Sequence, residues 1–224
     1  LIIKTYFLFI LLNEMEQTME QTMEKLKFID LFCGIGGFHQ ALTSLGHECV
    51  LACDIDKFCQ QNYKENYGVD VVKDVKEINE TNVPDFDIIT GGFPCQPFSN
   101  GGNKKAFDDD RGLLFDEIMR IAKIKKPRFM FLENVKNILT VSNGEVLEYI
   151  KNKIKSNGYV LQIFQMSPHN YGVPQQRERV YFVCVRNDIY NNSPIVLEPY
   201  NDEPLDFTKI LQKPSEIDDK YKLK

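Results

Sequence analysis

Phe28-Ile29-Asp30-Leu31-Phe32-Cys33-Gly34-Ile35-Gly36-Gly37 is the stretch that decides the fold. A short, mainly apolar run of strand character enters a glycine-rich turn. The residues after it space Phe38, Ala41, Leu42 and Leu45 along one face of a helix that stops at Gly46. Glycines in such a turn let the backbone approach a ligand and leave the amides at the helix start unobstructed. Gly34-x-Gly36-Gly37 is a close cousin of the dinucleotide-binding turn.

The same alternation repeats outward from this unit. Cys49–Ala52 predicts a strand, and a helix follows from about Ile55 to Tyr67-Gly68. Val69–Val72 and Asp85–Thr90 read as strands, Leu113–Lys125 as a helix closed by Pro127, and Phe129–Leu132 as a buried strand. A helix carrying Val146, Leu147, Ile150 and Ile154 ends at Asn157-Gly158. Tyr159–Gln165 and Val180–Val185 are the last strands, antiparallel because only a short loop, Tyr171–Glu178, separates them. The expected class is α/β: a doubly wound, mainly parallel sheet with an antiparallel pair near its C-terminal edge.

A chain of 224 residues defaults to one domain, and its net charge of −5 argues against a self-sufficient nucleic-acid grip. Six cysteines with no Cys-x-x-Cys pair suit a reducing compartment, here read as the cytoplasm. The spacing of His47, Cys49, Cys53 and Cys59 matches no common zinc pattern, so no metal is expected. The apolar run Leu1–Leu12 is too short to span a bilayer and lacks a small-residue cleavage site, so no membrane partner is expected either. Residues 1–24, with the duplicated Met-Glu-Gln-Thr, read as a disordered or non-native extension, residues 25–190 as the catalytic domain and 191–224 as an extended tail.

Candidate chemistry gathers at the carboxyl ends of the strands, where open α/β sheets place it. Gly91-Gly92-Phe93-Pro94-Cys95-Gln96-Pro97-Phe98-Ser99 holds Cys95 between two prolines as a presented thiol, whereas Cys33, Cys53 and Cys184 read as core residues. Asp54, about twenty residues after the glycine turn, either binds ribose hydroxyls or caps a helix. Asp74 either meets an adenine amino group or caps the next turn. Glu133 closes a strand of Phe, Met, Phe and Leu. A carboxyl in such a poorly solvated place is suited to donating a proton near neutral pH; a helix cap or a structural salt bridge is the plainer reading. Arg177 and Arg179 either hold a phosphate or carbonyl oxygen, or pair with Glu178.

Four stretches occur in one order: Phe28 to Gly37, Gly92 to Ser99, Glu133-Asn134-Val135, and Gln175-Gln176-Arg177-Glu178-Arg179. Over Lys25 to Arg186 the chain resembles the C5-cytosine DNA methyltransferase family. The resemblance implies a Rossmann-like methyltransferase fold and S-adenosylmethionine as cofactor, with Phe32, Gly34, Gly36, Gly37, Asp54, Ile55, Asp74, Pro94 and Leu114 lining its pocket. Asp54 would take the ribose hydroxyls, Ile55 would lie against the adenine, and Asp74 would accept from its amino group. The implied catalytic residues are Cys95 as nucleophile, Glu133 at N3, Arg179 at O2 and Arg177 beside it. The target would be a cytosine flipped from double-stranded DNA, with the loop from Phe98 to Asp110 closing over it. A restriction-modification or phage system is the implied setting.

Family members also carry a target-recognition domain and C-terminal motifs. This sequence stops about where they would begin, so a truncated or incompletely read chain, half of a split enzyme or a decayed remnant is expected. It would bind DNA weakly or not at all without a complementary C-terminal fragment. A tRNA cytosine-5 methyltransferase is the neighbouring reading, and a non-catalytic cofactor- or partner-binding fragment the reading from another class.

Overall fold

The computed structural model describes residues 24–94, 114–171, 173–197 and 215. Its strands are β1 (Lys27–Leu31), β2 (Glu48–Cys53), β3 (Val71–Val72), β4 (Ile88–Gly91), β5 (Phe129–Val135), β6 (Tyr159–Met166) and β7 (Arg179–Arg186). They form one sheet in the order β3-β2-β1-β4-β5-β7-β6. The helices are α1 (Gly37–Ser44), α2 (Lys57–Tyr67), α3 (Leu114–Lys125) and α4 (Glu145–Ser156). Strands β1 to β5 pair in parallel. The chain winds from β1 outward through β2 and β3, then returns to the other side of β1 with β4 and β5. The reversal opens a crevice at the carboxyl ends of β1 and β4, the usual ligand position in such sheets.

Side-chain alternation assigns each face its helices. Ile29, Leu31, Met130, Leu132, Phe182 and Cys184 pack against Ile118, Ile121 and Ala122 of α3 and Val146, Ile150 and Ile154 of α4. Phe28, Ile88, Phe129, Phe131, Tyr181 and Val183 face Phe38, Ala41 and Leu42 of α1. Tyr63 of α2 covers Ala52 and Cys33. Both faces are covered, as the sequence predicts, and Cys33, Cys53 and Cys184 are buried.

Four elements differ from the expected boundaries by two residues or more, each for a local reason. Helix α2 starts at Lys57 rather than Ile55 because the Asp56 carboxylate accepts from the Phe58 and Cys59 amides and so stands outside the helix as its cap. Strand β3 shrinks to Val71–Val72, the only residues that meet β2. Strand β4 slides to Ile88–Gly91, the residues in register with Phe28–Leu31. Strand β5 runs through Val135, so Glu133 lies inside a strand instead of closing one: β7 pairs with all of Phe129–Val135. The antiparallel pair of β6 and β7 is present, and β7 is inserted between β5 and β6, antiparallel to both. Beyond β7 the Gln162 side chain brackets Ile195, accepting from its amide at 3.1 Å and donating to its carbonyl at 3.3 Å.

Candidate active site

The insertion of β7 beside β5 builds the first half of the rim. Glu133 is in register with Tyr181, and Val135 with Arg179. Arg179 therefore stands two residues along β7 from Glu133's direct partner, on the same face, a diagonal that long side chains can span. They do: Arg179 Nε donates to Glu133 Oε1 at 2.8 Å, with the two side chains 19% and 18% exposed. This half-buried ion pair is the salt bridge that the sequence left as one alternative. Neither arginine's pairing with the Glu178 carboxylate is seen; Glu178 instead binds Lys136 at 2.7 Å, while Arg179 Nη1 donates to the Glu178 carbonyl. Arg177 is exposed and anchored through its backbone amide, which donates to Ser167 Oγ at 3.0 Å.

Alternation points Asn134 to the opposite face from Glu133. There its side-chain amide donates to the Phe93 carbonyl at 2.9 Å, tying the segment after β4 to β5. Phe93 is itself buried against Phe115 and Phe182. A Cβ on Gly92 would stand 3.1 Å from Glu133 Oε2, so the backbone here passes close under the carboxylate and little room remains for a side chain. Pro94 follows, exposed. Cys95 and the loop from Phe98 to Asp110 lie outside the described residues. Among the described cysteines, Cys33, Cys49, Cys53 and Cys184 have thiols pushed up chiefly by burial, Cys49 and Cys53 to about 12. None of these is suited to act as a thiolate at neutral pH.

The other half of the rim belongs to β1, β2 and β3. Phe32 leaves β1 with φ +53°, and Gly34 and Gly36 follow at +55° and +85°. That left-handed path costs an aromatic residue strain and suits glycine. Asp54, just past β2, closes the turn: its Oδ2 accepts from the Gly34 amide at 2.7 Å and its Oδ1 from Asp56 at 2.9 Å. Each carboxylate oxygen keeps further acceptor capacity. Ile55 beside it is 78% exposed, an apolar surface standing in solvent. Asp74 takes the capping role, accepting from the Lys76 amide at 2.9 Å at the start of the short 3-10 helix Val75–Glu77. Leu114 opens α3, half-buried against the core. Helix α1 begins at Gly37 with no side-chain cap, so its first amides donate to no capping side chain.

A model described as C-5 cytosine-specific DNA methylase matches residues 26–223. The chain belongs to that family. Type II methyltransferase M.HhaI of Haemophilus parahaemolyticus is 44% identical over 175 residues, 78% of this chain and 54% of the relative. M1.ScrFI of Lactococcus lactis subsp. cremoris is 42% identical over 202 residues, 88% of this chain and 51% of the relative. A solved mutant of DNMT2 from Spodoptera frugiperda superposes with a TM-score of 0.69 at 26% identity, over 88% of this chain and 62% of that one. The chain spans about half the length of the curated relatives it matches. Methylase family and fold together imply use of S-adenosylmethionine. No described helix is long and apolar enough to cross a membrane.

Three features of this candidate site escaped sequence reading. Asn134 could be seen only as a neighbour of Glu133; its grip on Phe93 needs the packing of β4 against β5. The Glu133–Arg179 pair needs the position of β7. Asp30 is 1% exposed within a strand. A charged residue inside the apolar run Phe28–Phe32 was the visible signal that a buried polar network lies there.

Proposed function

We propose that this rim transfers the methyl group of S-adenosylmethionine to C5 of a cytosine flipped from double-stranded DNA, with Cys95 as the nucleophile. The observation that carries the reading is the hydrogen bond from Asn134 to the Phe93 carbonyl, which anchors the backbone two residues before Cys95 onto the strand that bears Glu133. The residues fit the cofactor: a Cβ on Gly34 would meet nothing within 4 Å, so the turn presents an open side. Asp54 holds that turn and keeps acceptor capacity for hydroxyls. Gly36, Gly37, Phe32, Ile55, Asp74, Pro94 and Leu114 complete the pocket in this proposal. When bound, S-adenosylmethionine supplies the methyl group as an electrophile.

C5 of cytosine is a weak nucleophile, and the protein's task is to make it enamine-like. The Cys95 sulfur adds to C6, and the electron pair of the C5–C6 bond is freed towards C5 and the N3–O2 edge. Glu133 hydrogen-bonds or protonates N3, and Arg179 stabilises charge at O2. N3 and O2 are adjacent acceptors on one edge of the ring, which matches a carboxyl and a guanidinium held 2.8 Å apart. After methylation, loss of the C5 proton re-forms the double bond and expels Cys95. Arg177, exposed beside this pair, adds positive charge towards the nucleic acid.

In this reading residues 25–190 form the catalytic domain, the setting is a restriction-modification or phage system, and free thiols suit the cytoplasm. With a net charge of −5, DNA grip comes from a complementary recognition segment, and residues 1–224 alone methylate duplex DNA little or not at all. Methyl transfer from labelled S-adenosylmethionine, measured with the chain alone and with the chain joined to the part of M.HhaI that it does not match, tests both statements. The joined enzyme should label C5 of cytosine in DNA, and Cys95→Ser should abolish the label. Labelling of tRNA in place of DNA would move the substrate to RNA. Robust labelling by the chain alone would refute the need for a complementary segment.

A further inference from the structure

Tyr67 closes helix α2, remote in sequence from the glycine turn, yet its ring fills the space over that turn. A Cβ on Gly36 would stand 2.2 Å from Tyr67 Cε2 and 2.7 Å from its Cζ and hydroxyl. Absence of a side chain at Gly36 is thus required twice, by a φ of +85° and by this ring. The Tyr67 hydroxyl shares its one hydrogen between the Ile35 carbonyl at 3.2 Å and the Gly36 carbonyl at 3.3 Å. Its ring stacks on His39 of α1, centroids 3.9 Å apart and planes 25° from parallel.

The contact continues inward. His39 Nδ1 lies 2.7 Å from the Tyr63 hydroxyl, which donates to Asp30 Oδ2 at 3.2 Å. Since that hydroxyl has one hydrogen and gives it to Asp30, it accepts from His39, whose Nδ1 therefore carries the proton. Asp30 Oδ1 accepts from Thr90 Oγ1 at 2.8 Å. A run of contacts thus joins β4 and β1 to α2 and, through Tyr67, to the glycine turn.

We infer that Tyr67 is a positioning residue: it latches the carbonyls of Ile35 and Gly36 and so fixes the turn in the shape that receives the cofactor. This rests on the reading of the turn as the S-adenosylmethionine cradle. The neighbouring amides report on the latch without any ligand, because Gly34 N–H donates to Asp54 and Gly36 N–H to the Cys33 carbonyl at 2.9 Å.

The test is Tyr67→Phe, which keeps the ring and removes the shared hydrogen bond. Amide exchange over residues 33–37 of the ligand-free chain should accelerate by about three- to tenfold, the range expected for one modest hydrogen-bonding group. S-adenosylmethionine Kd from calorimetry should rise by a similar factor, while exchange in β5 and β7 stays unchanged. Gly36→Ala, which drives a methyl group into the ring, should give the same pattern more strongly; if it fails to fold, Tyr67→Phe decides alone. Unchanged exchange at 33–37 overturns the latch, as does acceleration spread equally over β5 and β7. Should the unmodified chain show no binding of S-adenosylmethionine, the cofactor reading of the turn fails; the exchange measurement still decides whether Tyr67 holds the turn's shape.

Discussion

The two halves of the rim are built on opposite electrostatic plans. On the β1–β2 side the polar groups face inward and satisfy one another: Asp30, Tyr63 and His39 are 1%, 0% and 6% exposed, linked carboxylate to hydroxyl to ring. On the β4–β5–β7 side the charged pair Glu133–Arg179 stays at the rim of the crevice, and the neutral amide of Asn134 ties β5 to the segment after β4. A buried network whose members are all paired rigidifies its surroundings. A half-buried ion pair contributes little net stability, because desolvation offsets much of its Coulombic gain. The comparison teaches a division of labour: the first half holds a shape, and the second holds reactive groups.

Substitutions in the second half should therefore damage chemistry and spare the fold. Glu133→Gln in the joined enzyme is expected to lower methyl transfer by about a hundredfold or more, as for loss of a general acid. Its melting temperature should move by no more than about 4 °C, since a partly exposed pair is worth up to about 1 kcal/mol. A large drop in melting temperature would erase the contrast between the halves.

Substitutions in the first half should do the reverse. Asp30→Ala strips the carboxylate acceptor from both Tyr63 and Thr90 and leaves Thr90 only the Ile29 carbonyl, a cost of about 1–3 kcal/mol in urea unfolding. A cost below about 1 kcal/mol would mean that the network is not what holds this side together.

The last expected effect is a pH dependence. Burial holds His39 down to about 4, against an ordinary value of 6.5. His47 is lowered too, chiefly by burial and partly opposed by Asp87. Between those limits the unfolded chain binds protons that the folded His39 refuses. Its contribution is therefore fully present above 6.5 and is lost as pH falls towards 4, by at most about 1.4 kcal/mol per pH unit. Unfolding curves at a series of pH values should show this slope, and His39→Phe should flatten it. An unaltered slope in that variant would place the dependence elsewhere.

How much of this could be read from sequence follows the same division. Period-two and period-3.6 patterns revealed the strands and helices, because burial on one face or stripe leaves a local trace. Glu133, Arg179 and Asp54 stood out by residue type and by position at strand ends. Their geometry did not, because it depends on strand order. Nothing local says that β7 slips between β5 and β6, and without that insertion Arg179 is nowhere near Glu133. The Asp30–Tyr63–His39 network was hidden for a related reason: its partners lie 33 and 24 residues apart on three elements. The Asp56 cap moved the start of α2 by two residues, a boundary set by one side chain that propensity does not weigh.

The central claim is that the second half of the rim presents Cys95 to a cytosine beside Glu133 and Arg179. Duplex DNA carrying 5-fluorocytosine tests it most directly, because C5 then has no proton to lose and the sulfur–C6 bond cannot be released. With the joined enzyme and S-adenosylmethionine, peptide mass spectrometry should find the DNA adduct on Cys95, and none in Cys95→Ser. An adduct on another residue, or one that survives Cys95→Ser, would contradict the account.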